Sequence, residues 1–166
     1  MHVRAATAED LPAIVELLAD DELGRTREDP DDLGTYRAAF AAIDQDPNQE
    51  LVVLDDDGRP IGTLQLSLVP SLTHRGSWRG QVEGVRVAAD RRGEGLGAVL
   101  LRWAIDRAAT RGCRMVQLTT DRRRPDAHRF YESLGFTATH LGMKLALDGE
   151  PRPGHGPVPG QATSEK

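Results

Sequence analysis

Apolar residues recur along this chain with two periods, and the places where one period gives way to the other mark out the elements. Residues 2–4 fit a short strand. Thr7 follows as the N-cap of a helix whose Leu11, Ile14, Leu17 and Leu18 share one face, with Pro12 near the first turn, where it is tolerated. The polar stretch 20–32 reads as a loop, and Leu33, Tyr36, Phe40 and Ile43 then return at helical spacing. Two strand-like runs, 50–54 and 61–68, flank Asp55-Asp56-Asp57-Gly58, a composition that predicts a hairpin. A loop with Pro70, Gly76 and Gly80 leads to a strand over 81–87. The stripe Leu96, Val99, Leu100, Trp103 and Ala104 then predicts a long helix stopping at Gly112. A strand over 115–119, a helix over 126–134 ending at Gly135, and a last strand over 141–147 complete the reading. Early antiparallel hairpins followed by one β-α-β crossover predict an α/β fold: a mixed, mostly antiparallel sheet with helices on both faces. From about Asp148 the chain is dominated by Pro, Gly and polar residues, so a single domain over 1–147 and a disordered tail over 148–166 are expected.

Composition narrows the function classes. At 166 residues, one core suffices and a second catalytic domain is not expected. No apolar run approaches the roughly 20 residues of a membrane helix, and acidic residues interrupt the apolar positions at the N-terminus, so no membrane partner and a cytoplasmic location are expected. Cys113 is the single cysteine, and the histidines at 2, 74, 128, 140 and 155 do not pair at ligand spacings, so no metal site is expected. With 21 basic against 26 acidic residues the net charge is -5, opposite to a nucleic-acid-binding surface.

The chemistry concentrates in residues 85–97, VRVAADRRGEGLG, which run off a strand, through a glycine-rich turn and into a helix. A helix N-terminus presents amides without intrahelical partners and a partial positive charge, which suits a phosphate or pyrophosphate. Arg91 and Arg92 would add fixed charge beside it. A P-loop needs Lys-Ser or Lys-Thr after its second glycine, whereas Gly97 is followed by Ala98-Val99. A dinucleotide fingerprint needs G-x-G-x-x-G, whereas Gly93, Gly95 and Gly97 alternate; Asp121 at a tolerable distance for a ribose keeps that reading as a weaker one.

The same segment resembles the acyl-CoA-binding motif of the GCN5-related N-acetyltransferase (GNAT) superfamily, Q/R-x-x-G-x-G/A, with Arg92, Gly95 and Gly97 in the defining places. VEGVRV is similar to that family's fourth strand, and DAHRFYESLGF to its A-x-x-F/L-Y-x-x-x-G-F element, with Ala127, Tyr131, Gly135 and Phe136 aligned. The resemblance covers roughly residues 2–147. It implies an enzyme that uses acetyl-CoA as co-substrate and transfers the acetyl group to a primary amine, of a small molecule or a protein, by direct attack in a ternary complex. A non-catalytic acyl-CoA-binding regulatory module is the alternative. Dimerisation is common in the family, so a homodimer is compatible, although no interface pattern is legible.

Carried over to this chain, the resemblance puts backbone groups of Val85 and Val87, with Arg86 between them, against the pantetheine arm. The amides across Arg92, Gly93, Glu94, Gly95, Leu96, Gly97 and Ala98 would take the pyrophosphate. Where the family commonly has an Asn, seven residues before the tyrosine, this chain has Arg124; the run Arg122-Arg123-Arg124 is either a phosphate contact or a solvated turn.

Amine acylation needs a neutral nucleophile and a proton for the departing thiolate. Tyr131 resembles the family's general acid; a packed aromatic is the plain alternative. Glu83 is the candidate base, directly or through water, because a carboxylate in an apolar strand is costly unless solvated or used. Strict alternation would put it on the face of Val85 and Val87, unless Gly84 marks a bulge. A salt bridge to Arg86 or to the Arg75/Arg79 loop is its plain alternative. The Val85 N–H is the oxyanion donor that the resemblance implies. Trp78 either walls an acceptor pocket or packs on the sheet edge, and Trp103 is expected in the core. Cys113 lacks a thiolate-activating partner, so an acyl-cysteine relay is rejected. The acidic stretch 20–32 either attracts a cationic amine or is a solvated loop.

Overall fold

In the computed structural model, residues 1–20, 24–145 and 147 are described, and the chain divides into two units, Met1–Phe136 and Thr137–Lys166. Strands β1 (His2–Ala5), β2 (Gln49–Asp56), β3 (Arg59–Pro70), β4 (Trp78–Val87) and β5 (Cys113–Leu118) form one sheet in that spatial order. The first four are antiparallel neighbours, and β5 runs parallel to β4. The helices are α1 (Leu11–Ala19), α2 (Gly34–Gln45), the single turn α3 (Thr73–Gly76), α4 (Leu96–Thr110) and α5 (Pro125–Ser133).

Alternation along β2 distributes the helices over two faces. Val52 and Leu54 join Ile61, Leu64, Leu66 and Val82 in a core closed by Leu96, Leu100, Leu101 and Ala104 of α4. Val53, between them in sequence, points the other way and packs with Ala6, Ile14 and the half-buried Leu18 and Phe40 of α1 and α2. Each large aliphatic side chain so buried contributes about 1.5–3 kcal/mol before entropy is counted. The α4 stripe follows the sequence reading except that Val99 is 40% exposed, and Trp103 is half-buried at the rim of the core.

The start of α1 is fixed by charge as well as by period. Thr7 and Asp10 form a capping box, and the Asp10 carboxylate also accepts two hydrogen bonds from the Arg4 guanidinium at 2.7 and 2.8 Å. Arg4 reaches Asp55 of β2 at 2.8 and 3.0 Å with its remaining donors. Both acids are buried, and the Arg4 hydrogen bonds hold the Asp10 carboxyl at about 2 against the ordinary 3.8.

One expectation fails. Residues 141–147 alternate like a strand, yet among the described residues they form no backbone ladder, and Leu141, Met143, Leu145 and Leu147 are exposed. Alternation specifies a face, but a strand exists only when another strand answers its N–H and C=O groups. The expected tail over 148–166 lies outside the described residues.

Candidate active site

The site is built where two parallel strands part. β4 pairs with β5 only from Trp78 to Val82, opposite Cys113 to Leu118, so among the described residues the β5-side edge of residues 83–87 has no strand beside it. On its other side β4 stays in register with β3, but Thr63 faces Arg86 and Gln65 faces Glu83, which leaves Gly84 and Val85 opposite Leu64 alone. This is a bulge, and Gly84 accommodates it at φ +63°.

The bulge corrects the expected facing of Glu83. Val82 lies in the α4-side core, and Val85 and Val87 pack against that same core, so Glu83 stands on the opposite face from all three. It is exposed, and among the described residues it has no ion-pair partner, so the salt bridges to Arg86, Arg75 or Arg79 do not form. The end of α1 lies beside it: Leu18 Cδ2 comes within 3.7 Å of where a Cβ on Gly84 would stand.

Beyond β4 the chain makes a short 3-10 turn at Ala89–Arg91 and enters α4 through Gly95, whose φ of +77° turns the backbone into the helix. Ala98 N–H donates to Gly95 O at 3.0 Å, and Arg92 N–H donates to Ala89 O at 3.4 Å. Among the described residues, the five amides between them, of Gly93, Glu94, Gly95, Leu96 and Gly97, have no acceptor. Amides so left at the positive end of a helix form a cradle of the kind that can take an anion. The Arg92 and Ala98 amides, expected to share in it, donate within the chain.

The two arginines before the cradle are also engaged. Arg91 donates to Asp56 at 2.8 Å and to both Glu94 oxygens at 2.9 and 3.0 Å. Arg92 donates to Val87 O at 3.1 Å, Asp20 O at 2.7 Å and Asp20 Oδ2 at 2.9 Å. The Val85 carbonyl accepts Arg86 Nη1 at 2.9 Å. What this turn offers is therefore main-chain N–H groups rather than guanidinium forks.

Gly97 serves packing as well. A Cβ there would stand 3.2 Å from Phe130 Cζ, so its lack of a side chain lets α5 lie against the first turn of α4.

Tyr131 follows Phe130 on α5, and the end of that helix fixes it. Phe136 N–H donates to Tyr131 O at 3.1 Å and Gly135 N–H to Glu132 O at 2.9 Å, with Gly135 left-handed at φ +91°. This is a Schellman motif, and its accompanying apolar contact is between the Tyr131 and Phe136 rings, centroids 6.0 Å apart. The Phe130 ring lies 5.2 Å away on the other side. The spacing Tyr-x-x-x-Gly-Phe thus has a local physical meaning. Burial pushes the phenol above its ordinary 10, opposed by the fields of Arg124 and Arg86, so it remains protonated at neutral pH.

The remaining candidates settle into structural places. Arg123 binds Asp121 through its amide and guanidinium and holds that carboxyl far below its usual range, while Arg124 begins α5. Asp121 is therefore spoken for rather than held ready for a ribose. His128 Nε2 lies 2.9 Å from Asp121 O. Cys113 is half-buried and burial pushes its thiol up, opposite to what a nucleophile needs. Trp78 packs against the main core. Among the described residues no group of His, Cys, Asp or Glu could hold a metal ion, and no helix is long and apolar enough to cross a membrane.

Comparison with known proteins agrees with this geometry. A family model described as the acetyltransferase (GNAT) family matches residues 11–136. The aminoalkylphosphonate N-acetyltransferase of Salmonella typhimurium is 31% identical over 149 residues, 88% of this chain and 91% of that protein. The glucosamine 6-phosphate N-acetyltransferase of Trypanosoma brucei brucei is 34% identical over 90 residues, 54% of this chain and 59% of that one. Among solved structures, a transcriptional regulator from Bacillus halodurans C-125 superposes with a TM-score of 0.85 at 48% identity, covering 87% of this chain and 98% of that one.

Proposed function

Given that the chain belongs to the acetyltransferase (GNAT) family and is an N-acetyltransferase, we propose that it acetylates a small primary amine carrying an anionic phosphoryl group, with acetyl-CoA bound along the parted edge of β4. Members of the family generally use acetyl-CoA, and it supplies the thioester carbonyl. The observation that carries the reading is that, among the described residues, the five amides 93–97 have no acceptor and residues 83–87 at the same corner have no neighbouring strand on the β5 side. The amides suit a diphosphate, and the open edge suits an amide-bearing arm laid down as an added strand.

Each side chain then has one task. Glu83, exposed and without an ion pair among the described residues, accepts the proton of the incoming ammonium, directly or through one water. The Val85 N–H, in the bulge, faces the oxygen that gains charge as the amine attacks the carbonyl. Tyr131, held protonated by burial, donates to the departing sulfur. Two protons leave nitrogen, one from the ammonium to Glu83 before attack and one to solvent as the tetrahedral intermediate collapses; one proton reaches sulfur from Tyr131, which solvent reprotonates, so the acetyl group moves from sulfur to nitrogen with net release of one proton.

Two observations support the phosphoryl group on the acceptor. The fields of Arg86 and Arg124 converge on Tyr131, which favours an anion on the substrate beside it. The two curated relatives above are named for amines that carry phosphonate or phosphate. Nothing in the site favours a non-catalytic acyl-CoA-binding module over the enzyme.

The test is release of free thiol from acetyl-CoA across paired amines, with and without phosphonate or phosphate. The expected result is turnover with the phosphorylated members and at least tenfold lower kcat/KM with their neutral partners. Equal kcat/KM within the pairs would refute the anionic acceptor, and thiol release with no amine in the panel would refute the acetyl-transfer reading.

A further inference from the structure

The Arg92 guanidinium occupies an unexpected place for the residue that opens a phosphate cradle. It turns back from the cradle and spans two elements: Nε donates to Val87 O, the last carbonyl of β4, while Nη2 donates to the main-chain carbonyl and the carboxylate of Asp20. Asp20 is the C-cap of α1. Its carbonyl is one of those a helix end leaves without an intrahelical partner, and a cation there is also favoured by the helix dipole.

The end of α1 is held at a second point. Leu18 lies against the Gly84 bulge, beside Glu83. The two contacts fix the last turn of α1 along the acceptor-facing side of β4, one at the bulge and one at the strand's end. A helix held at both points presents a fixed wall beside the open edge. With the Arg92 contact removed, only apolar packing, through the buried Leu17 and the half-buried Leu18, holds that turn.

We infer that Arg92 is a positioning residue for the acceptor, not a ligand of the coenzyme phosphates: its bridge to Asp20 locks the end of α1 to the cofactor turn and so sets the geometry in which the amine meets the thioester. The inference rests on the acetyl-transfer reading above but concerns a different contact. Because the bridge is bidentate and reaches two carbonyls, a lysine cannot replace it; a single ammonium group would have to choose between β4 and α1. The two partners are 72 positions apart in sequence, so the bridge joins parts of the chain that no local propensity links.

The experiment uses Arg92→Gln, Arg92→Lys and Asp20→Ala singly, and the Arg92→Gln/Asp20→Ala pair. Coenzyme affinity is measured by calorimetry, acceptor KM and kcat by thiol release, and amide hydrogen exchange over residues 16–20 as a readout independent of activity. The expected result is an acceptor KM raised about three- to tenfold in every single variant, the scale of one partly exposed charge-assisted contact. The double variant should be no worse than the worse single one. Coenzyme Kd should stay within about threefold in Asp20→Ala, and exchange over 16–20 should quicken in all variants. The inference is overturned if Asp20→Ala keeps the wild-type acceptor KM and wild-type exchange while Arg92→Gln loses coenzyme affinity tenfold or more. A wild-type chain that neither binds coenzyme nor releases thiol would sink the acetyl-transfer reading instead, and faster exchange in all three single variants would still report the bridge.

Discussion

Replacing Tyr131 by Phe removes one oxygen from a side chain whose ring is otherwise fully accounted for. The ring is held between Phe130 and Phe136, at centroid separations of 5.2 and 6.0 Å, and it packs against the main core. Its backbone carbonyl anchors the Schellman motif, which the substitution leaves intact. The hydroxyl has no hydrogen-bond partner among the described residues, so its loss orphans no buried group. Stability should therefore change by less than about 0.5 kcal/mol, the usual scale of a substitution that disturbs no packing or buried pairing. The amides at 93–97 are untouched, so coenzyme Kd should hold within about twofold. What is lost is the proton for the leaving sulfur. A positioned general acid contributes roughly 10²–10⁴ in rate, which is about 2.7–5.5 kcal/mol of transition-state stabilisation. The pH profile adds a second signature. Because burial raises the phenol above 10, wild-type kcat should fall only at strongly alkaline pH, as the phenol deprotonates, and the Phe variant should lack that limb. The assay is steady-state thiol release from pH 7 upward, with calorimetry on the same preparations. A kcat within threefold of wild type, with the alkaline limb retained, would refute Tyr131 as the acid.

Four other substitutions probe separate parts of the argument. Glu83→Gln should lower kcat/KM about 10- to 100-fold without altering coenzyme Kd, because the side chain is exposed and holds no ion pair among the described residues; an unchanged value in the thiol-release assay would remove it as the base. Gly95→Val forces a side chain onto a backbone at φ +77° at the mouth of the cradle; it should weaken coenzyme binding at least tenfold by calorimetry, and wild-type affinity would contradict the cradle. Gly135→Ala should cost about 1–2 kcal/mol for its left-handed backbone at φ +91°, seen as a Tm lower by about 3–6 °C, with kcat falling further as Tyr131 loses its anchor. Asp10→Asn tests the Arg4 network: the Asp10 carboxyl titrates at about 2 folded against 3.8 unfolded, so its contribution, about 2 kcal/mol, is complete above about pH 5 and is lost as pH falls toward 2. Denaturant midpoints of wild type and variant should therefore differ at pH 7 and converge near pH 2.5, and a gap of the same size at both would show that charge is not its source.

What the sequence discloses here is what its neighbours along the chain decide. The α4 stripe, the turn through Gly93 and Gly95, and the spacing of Tyr131, Gly135 and Phe136 are each fixed within one element and its cap, and each stands in the fold as read but for the exposed Val99. The facing of Glu83 is different, because alternation assumes an unbroken ladder and the ladder breaks where Leu64 of another strand faces two residues of β4. The strand expected over 141–147 fails for a related reason: period 2 is a property of the segment, but pairing is a property of two. The arginines before the cradle make the point most sharply. Placed beside a phosphate-binding turn, Arg91 and Arg92 read as phosphate ligands, yet their carboxylate partners include Asp56 and Asp20, 35 and 72 positions away. A charged side chain goes to the partner that the fold brings within reach. On the proposed reading a division of labour follows: the local features build the corner that would take the coenzyme, while the distant pairs hold α1 and β2 against that corner. Coenzyme recognition should therefore survive changes that abolish acceptor recognition, and the Arg92–Asp20 bridge is where the two are joined.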